Sequence, residues 1–404
     1  MTTLDALINR GEGPQDAIAL GSGIFMSRGI ANAYLVTSDQ GDLLINTGLD
    51  VEAPEIKARF ERVSRNRLRT IVFTQGHPDH VGGWSQFDAP GVETIAQANH
   101  PDVREYWRRL HPFYVRRILK LWGRFTDVDT SHLPPEPVLS TAFIDHHVFE
   151  LGGRRIELLS TPGGETTDAL VVWLPAERIV FVGNLMGPMF GHVPNLYTIR
   201  GDKIRSAVAF LHSIDRVLAL EPETLVNGHD VFRGAGEIRA TLTAVRSAAQ
   251  YLRDRVIGGM NDGRDLWTLM REILLPPELA LPQLHGKVPW IVRAIWEEHT
   301  GWFRYESTTE LYDIPAAAVW PDLVELAGGP AAIVDRAALH VEQARPLHAL
   351  HLIDVVLSHD PTNERARSLK RVSLQQLLEV SGRENFSEVQ WLESEILETD
   401  GHGS

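Results

Sequence analysis

Through the first 235 residues the apolar positions fall in short runs separated by Gly, Pro, Asn, Asp and Ser. Residues 33–37 and 42–46 read as strands joined by the turn Ser38-Asp39-Gln40-Gly41. Helical spacing over 51–65 leads into a buried strand at 70–74, TIVFT, and residues 92–97 read as another strand. Residues 144–151 and 155–160 flank Gly152-Gly153, which is a hairpin signal, and 170–174, 179–182 and 224–226 read as further strands. Strands mixed with helices, with hairpins among them, predict an α/β layered fold rather than a purely parallel wound sheet.

Near residue 235 the pattern changes to helical spacing. A long helix is expected over 237–256, with further helices near 266–274, 288–300 and 315–326. Residues 331–344, 346–358 and 364–380 look like paired helices with short polar connections, resembling tetratricopeptide-type hairpins. The expected organisation is an α/β domain at 1–235 and an all-α domain at 236–404.

At 404 residues the chain exceeds the usual size of a single core. The net charge of −14 disfavours nucleic acid as a partner, since phosphates are repelled unless a local basic patch intervenes. There is no cysteine, so any metal must be held by His, Asp, Glu or amide oxygens. The N-terminal 23 residues lack a basic stretch followed by a long apolar run, and no segment approaches the length of a membrane span. A cytoplasmic protein without membrane attachment is expected.

The sharpest chemical signal is TQGHPDHVGG, residues 74–83. An apolar strand ends at Thr74, and His77, Asp79 and His80 follow at once. A strand-to-helix loop can aim such side chains into one space, and two imidazoles with a carboxylate suit zinc, iron or manganese. As a purely structural segment the same residues would be a polar loop with Asp79 as helix cap. His146-His147 reads as surface, and Asn99-His100-Pro101-Asp102 as a helix start with Asn99 as cap.

This segment resembles the His-x-His-x-Asp-His metal motif of the metallo-β-lactamase superfamily. His77, Asp79 and His80 match its second to fourth ligands, while Gln75 stands at the first. LLINTG, residues 43–48, is similar to the strand that ordinarily ends in Asp-Thr-Gly, with Asn46 in place of the aspartate. STPGGETTD, residues 160–168, looks like the third metal motif in its alkyl sulfatase form, which puts Glu165 at the ligand position. FVGN, residues 181–184, resembles the strand end that supplies the carboxylate between two metals, here Asn184. NGHD, residues 227–230, resembles the last histidine motif, which makes His229 a ligand. PNLYTIRG, residues 194–201, looks like the alkyl sulfatase segment whose arginine reads the sulfate ester, which would make Arg200 an anion contact. GKVPWIVRAIWEEHTGWF, residues 286–303, is similar to part of the alkyl sulfatase dimerisation domain. The resemblance spans roughly residues 30 to 390, without the sterol-carrier-like domain of the full-length enzymes.

The resemblance implies a metallo-β-lactamase αββα sandwich followed by a helical dimerisation domain. It implies hydrolysis of an ester-type bond, such as an alkyl or aryl sulfate ester, with Asp79 and Arg200 as catalytic residues and zinc, iron or manganese as cofactor. A carboxylic ester, lactone or thioester as substrate remains open on the same fold, as does a binding or scaffold protein with a degenerate metal site. The amides Gln75, Asn46 and Asn184 weaken the two-ion expectation, because removing a carboxylate from between two cations raises their repulsion. One ion at Asp79, His80 and His229 is expected, with Gln75, His77 and Glu165 forming a weaker second site or a surround. A homodimer is expected from the dimerisation resemblance and the tryptophans Trp290, Trp296 and Trp302. The basic, aromatic stretch 103–124 offers a candidate entrance for a hydrophobic anionic small molecule.

Overall fold

The structure, a computed structural model, describes residues 16–123, 133–203 and 205–399. Arg124 and the N-terminal residues before 16 lie outside the described residues. Two compact units are present: Met1–Leu119 with Gly123–Glu298, and Lys120–Trp122 with His299–Ser404.

The first unit holds two sheets. One has the order β1 (Ile18–Gly21), β2 (Ile24–Ser27), β3 (Ala33–Val36), β4 (Asp42–Ile45), β5 (Leu68–Val72), β6 (Glu93–Gln97), β7 (Thr141–Phe143). It is antiparallel from β1 to β4 and parallel from β4 to β7. The other runs β13 (Val231–Arg233), β12 (Thr224–Asn227), β11 (Ile179–Gly183), β10 (Leu170–Leu174), β9 (Arg154–Ser160), β8 (His146–Leu151). Its β8–β9 turn is the Gly152-Gly153 pair. Both glycines have positive φ, 58° and 71°, as a two-residue hairpin loop between right-twisted strands demands.

Alternation along each strand builds the layers. Leu43, Ile45 and Val72 meet Leu170, Val172, Phe181 and Val226 in the core between the sheets. Their neighbours Leu44, Ile71 and Phe73 face the other way, against Ile56 and Phe60 of α1 (Ala53–Val63). Val171, Trp173, Val180 and Leu225 face outward from the second sheet onto Phe210 and Ile214 of α5 (Ala207–Leu220) and Leu242 and Val245 of α6 (Ala235–Asn261). Helix–sheet–sheet–helix is the αββα arrangement the sequence predicts. Between α1 and α5 lie α2 (Pro78–Val81), α3 (His100–Arg109) and α4 (His111–Trp122). The composition shift near residue 235 coincides with the start of α6. That helix belongs with the sheets, because its buried face shares their core.

Beyond α6 come α7 (Leu266–Glu272) and α8 (Val288–Thr300). In the second unit α9 (Trp320–Leu326), α10 (Pro330–Glu342), α11 (Pro346–His359), α12 (Glu364–Val380) and α13 (Phe386–Thr399) follow one another with short connections. Val334, Ala337, Ala349, Ile353, Val356 and Ala366 form the core shared by α10, α11 and α12. No single helix among the described residues is long and apolar enough to cross a membrane.

Candidate active site

The candidate residues stand just beyond the ends of strands. Asn46 follows β4, the segment 74–80 follows β5, Glu165 follows β9, Asn184 follows β11 and His229 follows β12. Asp202 and Arg205 lie in the loop before α5. All are buried apart from Asp79, Arg200 and Asp202, which are mostly so.

His77 sits between two carboxylates. Its Nδ1 is 3.1 Å from Glu165 Oε1 and its Nε2 is 3.2 Å from Asp202 Oδ2. Arg205 Nη2 lies 3.0 Å from the same Glu165 oxygen and 3.9 Å from Asp202. Arg200 Nη2 approaches these acids at 3.7 and 3.5 Å. Burial disfavours the charged imidazole, but its bonds to Asp202 and Glu165 outweigh that and push His77 up to about 9. Burial would raise the Glu165 carboxyl, yet Arg205 and His77 hold it down at about 2. Asp202 is held below its ordinary range by His77, Arg200 and Arg205, again against burial. Three cationic groups, His77, Arg200 and Arg205, thus surround two carboxylates in one cluster.

The Arg200 Cζ lies over the Trp107 ring, 5.5 Å from its centroid, and Trp107 meets His77 edge-on at 5.3 Å. The Arg200 Nε is buried and has no hydrogen-bond partner. Arg117 fixes the backbone here by donating to the carbonyls of Arg200 and Ile199. The basic stretch is therefore divided in its uses. Arg104 is buried, pairs with Glu136 and donates to the Gly76 carbonyl, while Arg108 and Arg109 pair with Glu105 on the exposed face. Val103 and Tyr106 line a pocket with Pro162, Glu165, Asp202 and Arg205.

The other half of the site holds Asp79, His80, His229 and Asn184. Burial keeps His80 and His229 uncharged, with His229 lowered to about 4. Burial would raise the Asp79 carboxyl, but the positive charge of His77 and Arg200 helps to hold it low. His229 is placed by an Asx turn in which Asn227 Oδ1 accepts from the backbone N–H groups of His229 and Asp230.

The implied divalent ion meets a mixed donor set. Two ligands of one tetrahedral zinc, each about 2.0–2.1 Å from it, lie roughly 3.3 Å apart. His80 Nε2 and Asp79 Oδ2 are 3.5 Å apart. His80 Nε2 has no hydrogen-bond partner, and neither has the buried Asn184 Oδ1. These positions fit one ion at Asp79 and His80. Around His77 both ring nitrogens lie beside carboxylates, and Glu165 is bound to Arg205. Gln75 Oε1 is buried and unpaired beside them. Among the described residues no three His, Asp or Glu side chains converge as a complete ligand set. His77 and Glu165, both expected as ligands, stand 3.1 Å apart and are engaged here in charge pairing.

Asp202 and Arg205 had no signal in the sequence beyond being charged residues near Gly201. His100, set aside as part of a helix start, is buried and bound through Nδ1 to Asp168 at 2.7 Å. Helix α3 does begin there, but Asn99 makes no side-chain cap and donates instead to the Thr167 carbonyl. His146 is on the surface, paired with Glu157.

Comparison with known proteins agrees with this architecture. The sequence profile of alkyl sulfatase dimerisation matches residues 268–392, and that of the metallo-beta-lactamase superfamily matches residues 26–229. A linear primary-alkylsulfatase of Pseudomonas sp. is 26% identical over 371 residues, covering 85% of this chain and 69% of that protein. The alkyl/aryl-sulfatase BDS1 of Saccharomyces cerevisiae is 22% identical over 387 residues, covering 88% of this chain and 59% of that protein. The chain thus spans between three fifths and seven tenths of these relatives' lengths. The solved structure of the stereoselective inverting sec-alkylsulfatase Pisa1 from Pseudomonas sp. has the same fold, with a TM-score of 0.83 at 20% identity over 96% of this chain and 66% of that one. With a superfamily match over half its length and the two-sheet core to go with it, this chain belongs to the metallo-beta-lactamase superfamily.

Proposed function

We propose that this chain hydrolyses an ester of a hydrophobic anionic substrate, with an alkyl or aryl sulfate ester as the first candidate. The observation that carries this reading is Arg200, whose buried Nε–H is unpaired while its guanidinium lies over the Trp107 ring. A planar fork with a free donor suits a sulfate oxygen. The names of the relatives support the same substrate class. Tyr106, Val103 and Pro162 offer apolar surface for the alcohol part.

Arg200 binds the sulfate and answers the negative charge that grows on it in the transition state, which is the condition for raising the rate. Asp79, anionic at neutral pH, orients the water through its carboxylate. His77 holds Glu165 and Asp202 in place through its two ring nitrogens. When bound at Asp79 and His80, a divalent ion such as zinc supplies Lewis acidity.

The test is an ester panel on the purified chain, run with added zinc and after chelation. Turnover of sulfate esters in preference to neutral carboxylic esters, lactones and thioesters is expected. Arg200→Ala should lower kcat/KM for sulfate esters by about 100-fold or more, as loss of a transition-state donor does, and leave neutral esters within a few-fold. Equal losses on both classes reject the anion contact. Absence of turnover on the whole panel, with sulfate esters still bound, would make this a binding protein.

We also propose a homodimer through the second unit. Trp302 is 72% exposed, and Tyr305, Tyr312, Ile314 and Leu326 are exposed near it in sequence. Trp296, by contrast, is buried in the core of the first unit. Light scattering at micromolar concentration should give twice the chain mass of 45.1 kDa; a monomer mass overturns the assignment.

A further inference from the structure

Asn46 follows β4 with φ of 61°, a left-handed conformation that Asn and Asp tolerate better than other side chains. Its two amide atoms can be distinguished by what faces them. The Thr74 backbone N–H, which can only donate, is 2.9 Å from one of them, and Thr74 Oγ1 is 3.1 Å from the same atom. That atom is therefore the oxygen. The other is Nδ2, and it lies 3.0 Å from His80 Nδ1.

An amide NH2 donates and has no lone pair to accept with. His80 Nδ1 must then be the acceptor and carry no proton. Thr74 Oγ1, at 3.5 Å from Nδ1, is a poor competitor for this position. An imidazole with a bare Nδ1 carries its proton on Nε2. Nε2 is the atom that faces Asp79 Oδ2, and a metal ligand needs a lone pair there.

We propose that Asn46 holds His80 as the Nε2–H tautomer, so that a divalent ion binds at Asp79 and His80 only when the Asn46 amide turns over and leaves the Thr74 N–H facing an NH2 group. Asn46 is thus a positioning residue that makes His80 a reluctant ligand. Aspartate at this position would reverse the arrangement. One oxygen would keep the Thr74 N–H, and the other would accept from Nδ1–H, which frees the Nε2 lone pair. The inference rests on the one-ion reading of the site and is independent of the substrate.

The test titrates zinc alone into the metal-stripped full-length chain by calorimetry and reads the His80 ring by 15N NMR. Asn46→Asp should tighten zinc binding by about 10–100-fold, the usual range for a group behind a ligand. Adding His80→Ala to Asn46→Asp should abolish that gain, which separates an effect through His80 from ligation by the new carboxylate. The parent spectrum should show the proton on Nε2. A parent spectrum with Nδ1–H, or a gain that survives His80→Ala, overturns the proposal whether or not Asn46→Asp folds. If parent and Asn46→Asp bind zinc equally tightly, the one-ion reading stands and the proposal falls. If neither binds zinc, both fall.

Discussion

Arg205→Met is expected to destabilise the chain by about 3–5 kcal/mol, the usual result of removing one partner from a buried ion pair. Arg205 has 3% of its side chain exposed, pairs with Glu165 at 3.0 Å and donates to the carbonyls of Asn195 and Gly164. Methionine fills much of the same volume, so packing changes little. What is lost is the charge that answers Glu165, whose carboxylate would remain buried with only His77 and Arg200 nearby. Urea denaturation should show the loss as a lower midpoint with an unchanged slope. Adding Glu165→Gln removes the stranded charge, so the double variant should cost less than the sum of the two single changes. A loss below about 1 kcal/mol, in the range of a surface ion pair, would mean that water reaches the cluster and that its charges are not desolvated.

The cluster also shows where sequence reading reaches its limit. Positions that end strands were legible, because an apolar run followed by His, Asp or Asn marks both the strand and the residue exposed at its end. His77, Asp79 and His80 were found in this way, while Asn46, Glu165, Asn184 and His229 came from the family resemblance. The pairing between them was not. His77 meets Asp202 across 125 residues and His100 meets Asp168 across 68, and nothing local in the chain encodes either contact. A histidine in a metal motif and a histidine clamped between carboxylates are the same letter. The resemblance therefore names candidate ligands without their charge pairing.

The fold was legible to a similar depth. The glycine pair at 152–153 marked one hairpin, and the apolar runs marked β4, β5 and β10 as strands. Strands β1 and β2 escaped notice because each has four residues and their turn contains only Ser22 and Gly23. Helix α5 did leave a signal that went unread. Ser206 caps it by accepting from the Ala209 N–H, and Ala207, Phe210, Leu211, Ile214 and Val217 follow at helical spacing.

Stability should fall on the alkaline side because of His77. Its ordinary value near 6.5 is raised to about 9. Burial acts against the charge, and the two carboxylates at 3.1 and 3.2 Å more than offset it. A group raised on folding stabilises fully below its unfolded value and loses that contribution as pH climbs through its folded value. The His77 contribution is therefore complete below about 6.5 and lost between there and about 9. A rise of that size is worth about 3 kcal/mol of folding stability. Glu165 behaves in the opposite sense. Lowered to about 2, it contributes fully above its ordinary value and is lost only as pH falls toward 2. The unfolding free energy of the metal-stripped chain should thus form a plateau between about pH 5 and 6.5 and decline on both sides. His77→Gln separates the causes, because glutamine is neutral throughout. That variant should be much less stable than the parent at pH 6 and approach it at pH 10, so that its alkaline limb is flat. If parent and variant lose stability in parallel between pH 6.5 and 9, the titrating group is elsewhere and His77 is not the cation that Glu165 and Asp202 share.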